Sequence, residues 1–227
     1  MSNFEEKLNQ ACLTAKSIRN SLVPEVDPAG ISLISKIPYK ALVIREVLLY
    51  RIADLSESSC MLLKEDNIIS SAVTIRAFQE TVAVLFFINR KIRKAIDDKD
   101  ITHLDSSLMK TIMGAKNNEN MPDPINIMTM IDKVSKEISS FRTVYDTFSE
   151  LSHPNWAGTH GIYAKPDTEN IFTYFGKNIR LSDSTKLQCV TALQAGLNLT
   201  VDIYDEYAEY FSKLVEICEN DITEKSI

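Results

Sequence analysis

The feature that most constrains this chain is where its helix breakers fall. It holds six Gly and seven Pro, and most of them sit in three clusters: Pro24, Pro28, Gly30 and Pro38; Pro122 and Pro124; and Pro154, Gly158, Gly161, Pro166 and Gly176. Proline removes a backbone donor and glycine costs conformational entropy, so helices tend to end at such residues. The stretches between the clusters are long and nearly free of both, which favours long helices over many short strands.

Apolar spacing fills those stretches. Phe4, Leu8, Ala11, Ala15, Ile18 and Leu22 predict a helix over 3–22. Residues 23–38 read as a crossover, followed by helices over 39–64 and 68–96 that only Asp66 and Asn67 clearly interrupt. So short a break makes the two helices antiparallel neighbours, a hairpin about 40 Å long. A less regular helical stretch covers 102–116, and shorter helices cover 125–138 and 140–152. Residues 154–180 are the least helical, and Gly161–Ala164 facing Ile171–Tyr174 predicts a small β-hairpin. Ser182 or Ser184 then caps a long final helix. In it Val190, Leu197, Tyr204, Phe211 and Cys218 recur every seven residues, interleaved with Leu193, Val201, Ala208 and Val215. Such a seam packs within a bundle or across a dimer. Asp202, Asp205, Glu206, Glu209, Lys213 and Glu216 opposite it read as a solvated face. The expected architecture is all-α, one domain over 1–227: a helix and crossover (1–38), an up-and-down bundle (39–218) with an irregular loop or hairpin before its last helix, and a tail (219–227).

Composition narrows the function classes. A net charge of −6 argues against coating nucleic acid through bulk positive charge, while leaving room for a local basic pocket. Cys12, Cys60, Cys189 and Cys218 lack CxxC spacing and fall on predicted helices, so they read as reduced thiols. The polar, acidic N-terminal residues do not resemble a secretory signal. The most apolar run, Val82–Ile88, is far shorter than the ~20 residues that span a bilayer. A cytoplasmic protein with no membrane partner is expected.

Phosphate-binding glycine loops, HExxH, paired CxxC units and GxSxG are absent. Two places could carry chemistry. In the first, a helix ends at His153-Pro154, and a histidine at a helix C-terminus is favoured when protonated, which suits acid/base work. Helical spacing puts Arg142, Ser149 and His153 near one face. The alternative is that His153 only caps the helix while Trp156 plugs the core. In the second, Arg76 and Glu80 lie four residues apart at the edge of an apolar stretch. There they form a buried anchor or the wall of a polar pocket. Tyr145, Asn155, Trp156 and His160 complete the candidate binding set. Glu150-x-x-His153 and the pair His153/His160 leave too few further ligands for a metal, so neither metal nor cofactor is expected.

Two of these signatures occur together: Arg76-x-x-x-Glu80, and Tyr145-x-x-x-Ser149-x-x-Ser152-His153-Pro154. In combination they resemble a bacterial group related to the HEPN (higher eukaryotes and prokaryotes nucleotide-binding) superfamily, over about residues 39–211. The resemblance implies a helical bundle, often dimeric. In many members it implies a metal-independent ribonuclease of toxin–antitoxin or phage-defence systems, with RNA or an antitoxin as partner. In those enzymes four to six residues separate an Arg from the catalytic His. Here the nearest preceding Arg is Arg142, so Arg142 or Arg76 would hold the phosphate and His153 would be the acid/base. A second reading makes the chain a non-catalytic helical module that binds a protein or nucleotide through its bundle surface or its 154–180 loop.

Overall fold

The computed structural model describes residues 3–225, and its architecture is all-α, an up-and-down bundle of long helices. In chain order the elements are α1 (Asn3–Ser21), α2 (Ile37–Lys64), α3 (Ile68–Asp98), α4 (Leu104–Met113), α5 (Ile127–Glu137), α6 (Ser140–Ser152), α7 (His160–Tyr163), β1 (Ala164–Asp167), β2 (Phe172–Phe175) and α8 (Asp183–Lys225).

The α2–α3 hairpin is the spine. Ser59 Oγ lies 2.8 Å from Thr74 Oγ1, and Arg51 Nε donates to Thr81 Oγ1 at 3.1 Å. Partner numbers fall on one helix as they rise on the other, which is the antiparallel register the short break required. The chain reverses at Asp66, which adopts the left-handed conformation at φ 56°. Pro38 lies in the first turn of α2, where its missing N–H costs no helical hydrogen bond, so the helix starts at Ile37, before the proline.

α1 packs on α2 and α8, burying Leu8, Ala11, Ala15 and Ile18 of its predicted face. The crossover is ordered by its own side chains. The Asp27 carboxylate accepts from the Ala29 N–H at 2.9 Å, and Ser32 Oγ donates to Glu219 of α8 at 2.7 Å. Residues 219–225, expected as a tail, therefore continue α8, with no Gly or Pro to stop them and a crossover to hold. α5 and α6 pack on α3, and α4 packs on α2 and α3. One apolar core cluster runs from Leu8 to Cys218, taking in Phe78, Ile88 and Leu197. Cys60, Cys189 and Cys218 are buried in it as free thiols. α3 is long and apolar enough to cross a membrane by length and composition, and 67% of its most apolar window is buried inside the bundle.

α8 corrects the seven-residue seam. Val190, Leu193, Leu197 and Cys218 are buried, but Val201 and Ala208 are exposed and Tyr204, Phe211 and Val215 only half-buried. The buried stripe runs instead through Gly196, Thr200, Ile203, Tyr207, Tyr210 and Leu214. A straight α-helix drifts about 20° per heptad against a strict seven-residue repeat, so a fixed series walks off the contact face. Glu206 is likewise not part of a solvated face. It accepts from Asn89 at 2.7 Å and pairs with Arg90 at 2.9 Å and Arg93 at 3.3 Å. Burial raises its pKa, but Asn89 and the two arginines outweigh that and hold it below the usual carboxylate range.

The predicted hairpin forms, its first strand three residues and its second one residue later in the chain than expected. His160–Tyr163 makes one helical turn, and the strands pair antiparallel with Ala164 opposite Phe175 and Asp167 opposite Phe172. Pro166 is tolerated because β1 pairs with β2 alone and needs no donor on its other edge. The Asp167 carboxylate closes the turn by accepting from the N–H groups of Glu169 and Asn170, each at 3.1 Å.

Candidate functional site

The two signatures singled out in the sequence meet in part. Tyr145 of α6 lies over Arg76 and Glu80 of α3. Its hydroxyl donates to Glu80 Oε1 at 2.9 Å and accepts from Arg76 Nη2 at 3.4 Å, and the guanidinium carbon sits 5.6 Å from the ring centroid. Arg76 and Glu80 also pair directly at 3.5 Å. The tyrosine ring is buried and both charges are half-buried. Burial raises the Tyr145 pKa, and the hydrogen bond to Glu80 acts in the same direction, against that of Arg76. The cluster is charge-balanced and joins the two helices through the Tyr145 hydroxyl, with Arg76 Nε left buried without a hydrogen bond, so it acts as a pin between α3 and α6.

The end of α6 is arranged differently. Arg142 is held by two carboxylates, with Nη1 donating to Asp132 at 2.7 Å and Nε to Asp146 at 2.9 Å. His153 caps α6 in an extended conformation, its N–H reaching the Glu150 carbonyl at 3.3 Å, and its exposed ring makes no hydrogen bond among the described residues. Among the described residues neither Arg142 nor Arg76 forms a hydrogen bond with His153. Ser149 is half-buried and outside the Tyr145 cluster, and His160 is exposed at the start of α7.

From His153 onward the chain folds on itself. Asn155 donates to Glu150 at 2.7 Å and accepts from the Gly158 N–H at 3.2 Å. A Cβ on Gly158 would stand 2.2 Å from the His153 carbonyl oxygen, so only glycine fits this close return. Trp156 is 64% exposed rather than a core plug, with the Arg180 guanidinium 5.6 Å from its ring centroid. The base of the segment is tied to the α2–α3 turn. Asn178 donates to the Asp66 carbonyl at 2.7 Å, and Lys186 pairs with its carboxylate at 2.6 Å. Lys186 first, and Asn178 donating to the same carboxylate at 3.0 Å, hold the Asp66 carboxyl below its ordinary value.

Sequence reasoning missed what this segment displays. Trp156, Tyr163, Ile171, Phe172, Tyr174 and Phe175 are all exposed, Phe175 by 77% and Ile171 by 91%. Every residue of β2 is exposed, so aromatic side chains stand uncovered on both faces of the strand. Ile171 also holds φ at 59°, a conformation that β-branched residues rarely adopt, while burying nothing. The signal was present as Ile171-Phe-Thr-Tyr-Phe175, but a strand pattern does not say whether a second layer covers it.

Among the described residues, no group of three or more His, Cys, Asp or Glu is placed to hold a metal ion. Compared with known families, curated proteins and solved structures, the chain has no match.

Proposed function

We propose that this protein is a non-catalytic interaction module that docks a protein partner through the 154–180 segment. The supporting observation is β2, a strand with aromatic residues on two uncovered faces and an unpaired outer edge. A two-stranded ribbon is marginal alone in water and gains stability when another surface covers it or a further strand extends it. Contiguous exposed apolar surface of this kind marks interaction sites, and the left-handed Ile171 at its tip is strain that a binding contact would repay. A second copy of the chain is one fitting partner, and the setting is cytoplasmic. Sedimentation at rising concentration, with affinity capture from the source cells, compares the wild type with a Phe172→Ser/Phe175→Ser variant. A dimer or a discrete bound polypeptide present in the first and absent in the second is the expected result. Equal behaviour of the two ends this reading.

One observation favours a second reading, the HEPN-like metal-independent ribonuclease of stress or phage defence. His153 has a free, exposed imidazole three residues before Trp156, and Arg180 lies over that indole. An aromatic face beside a cation suits a stacked base. The guanidinium of this segment is Arg180, whereas Arg142 and Arg76 are neutralised by carboxylates. Total RNA incubated in EDTA with wild type and with His153→Ala separates the readings: cleavage only by the wild type establishes the enzyme.

A further inference from the structure

α6 and the first half of α8 both pack on α3, and between them lies a cavity of about 580 Å³. Gln79 and Val82 of α3 line it, with Val144 and Thr147 on the α6 side and Thr191 and Ala195 on the α8 side. Its size lies within the range of small-molecule sites, roughly 300–1,000 Å³. No Asp, Glu, Lys, Arg or His lines it, and none of its lining comes from the 154–180 segment.

Gln79 is out of keeping with those surroundings. The residue is only 3% exposed, yet its Oε1 is buried with no hydrogen-bond partner. An unmade hydrogen bond at a buried amide costs stability that a leucine at this position would not forfeit. A carboxamide offers one acceptor and two donors, and it pairs best with a group that shows a donor and an acceptor side by side. A charged ligand would lose its hydration here and find no counter-ion.

We propose that this groove binds a small neutral amphipathic molecule. Its apolar body lies against the half-buried Val144 and Leu199, and a carboxamide-like head pairs with the amide of Gln79, whose Oε1 turns out of its buried position to accept. The site is independent of the 154–180 segment and of any partner bound there.

Octanamide and octanoate provide the test, each titrated into the full-length protein while ¹H–¹⁵N NMR follows the groove amides and the Gln79 side chain. Octanamide is expected to shift them saturably, and octanoate to leave them unmoved. Gln79→Leu should weaken octanamide about tenfold, the loss of a buried hydrogen-bonded pair. Ala195→Trp, at an exposed position on the rim, should abolish binding with helicity unchanged. Thr147→Trp on the opposite wall serves the same purpose should the first variant fail to fold. The proposal is overturned by absent or non-saturable shifts with octanamide, by equal binding of octanoate, by full affinity in Gln79→Leu, or by binding that survives a filled groove. A dimer split by Ala195→Trp in a protein that ignores octanamide would assign the groove to a second copy instead, and would equally overturn it.

Discussion

Two regions of this molecule treat aromatic residues in opposite ways. Phe78, Phe86 and Phe148 are sealed in the bundle, whereas Phe172, Tyr174 and Phe175 stand in solvent on the hairpin. Residue type does not account for the contrast; layering does. α3 has α2, α5, α6 and α8 packed around it, and among the described residues no second layer packs on the two-stranded sheet. A fold needs two packed layers to bury an apolar face, so the bundle is self-sufficient and the hairpin is not. The unsatisfied region is where a partner has something to gain.

The largest expected effect lies at the centre of the bundle. Phe78 is fully buried, and its ring packs so tightly against α8 that a Cβ on Gly196 would stand 2.4 Å from it. Phe78→Ala should cost about 3–5 kcal/mol, measured by urea denaturation. An equal cost for Phe172→Ala would break the comparison, because it would show the hairpin to be as deeply integrated as the core.

A smaller effect is expected at the α3–α6 pin. Tyr145→Phe keeps the buried ring and removes only the hydroxyl between Glu80 and Arg76. Hydrogen bonds to charged groups are worth more than neutral ones. Glu80 remains half-exposed, however, and water can replace part of the loss, so about 1 kcal/mol is expected from the same titration. A loss near zero would mean that Arg76 and Glu80 re-pair without the hydroxyl and that the pin is the ring alone.

The long helices were legible because their signal is local: breakers cluster where helices end, and apolar spacing marks the buried face of α1. The α2–α3 pairing followed from a two-residue break. What stayed illegible depended on contacts between distant residues. The phase of the α8 stripe is set by its neighbours: Gly196 lies against Phe78 of α3 and Thr200 is buried, at positions an apolar count ignores. Glu206 looked solvated because Asn89 and Arg90 lie more than a hundred residues away in the sequence. At the candidate site, Arg76, Glu80 and Tyr145 were individually conspicuous, but only the packing of α6 on α3 brings them together. Arg142 on the face of His153 was a helical-wheel expectation, and what the spacing could not show is that Asp132 and Asp146 occupy that guanidinium.

A weaker effect should distinguish the hairpin's anchor from its display face. The Asp66 carboxyl is held below its ordinary value by Lys186 and Asn178. A folded-state pKa below the unfolded one stabilises the structure above the unfolded value, and that contribution is lost as pH falls through the folded value. The anchor should therefore be intact at neutral pH and weaken below about pH 4. Its stabilisation is small because the carboxylate is half-exposed and screened. Hydrogen-exchange protection of the 160–180 amides should drop over that window in the wild type, and Asp66→Asn should lose the step. Loss of protection across the whole bundle at the same pH would mean that the segment does not open separately.

The smallest effect on stability sharpens the comparison most. Phe172→Ser/Phe175→Ser removes two aromatic rings, yet both are exposed and outside the core cluster. Surface substitutions away from caps, cores and strained backbone stay within about 0.5 kcal/mol, so the urea midpoint should barely move. A core pair of the same residue types would unfold the protein. Retention of stability together with loss of the bound partner would show that these side chains are kept for what they touch outside the molecule. A fall of several kcal/mol would instead show that the hairpin buries them against its own bundle in solution, and the division between the two regions would disappear.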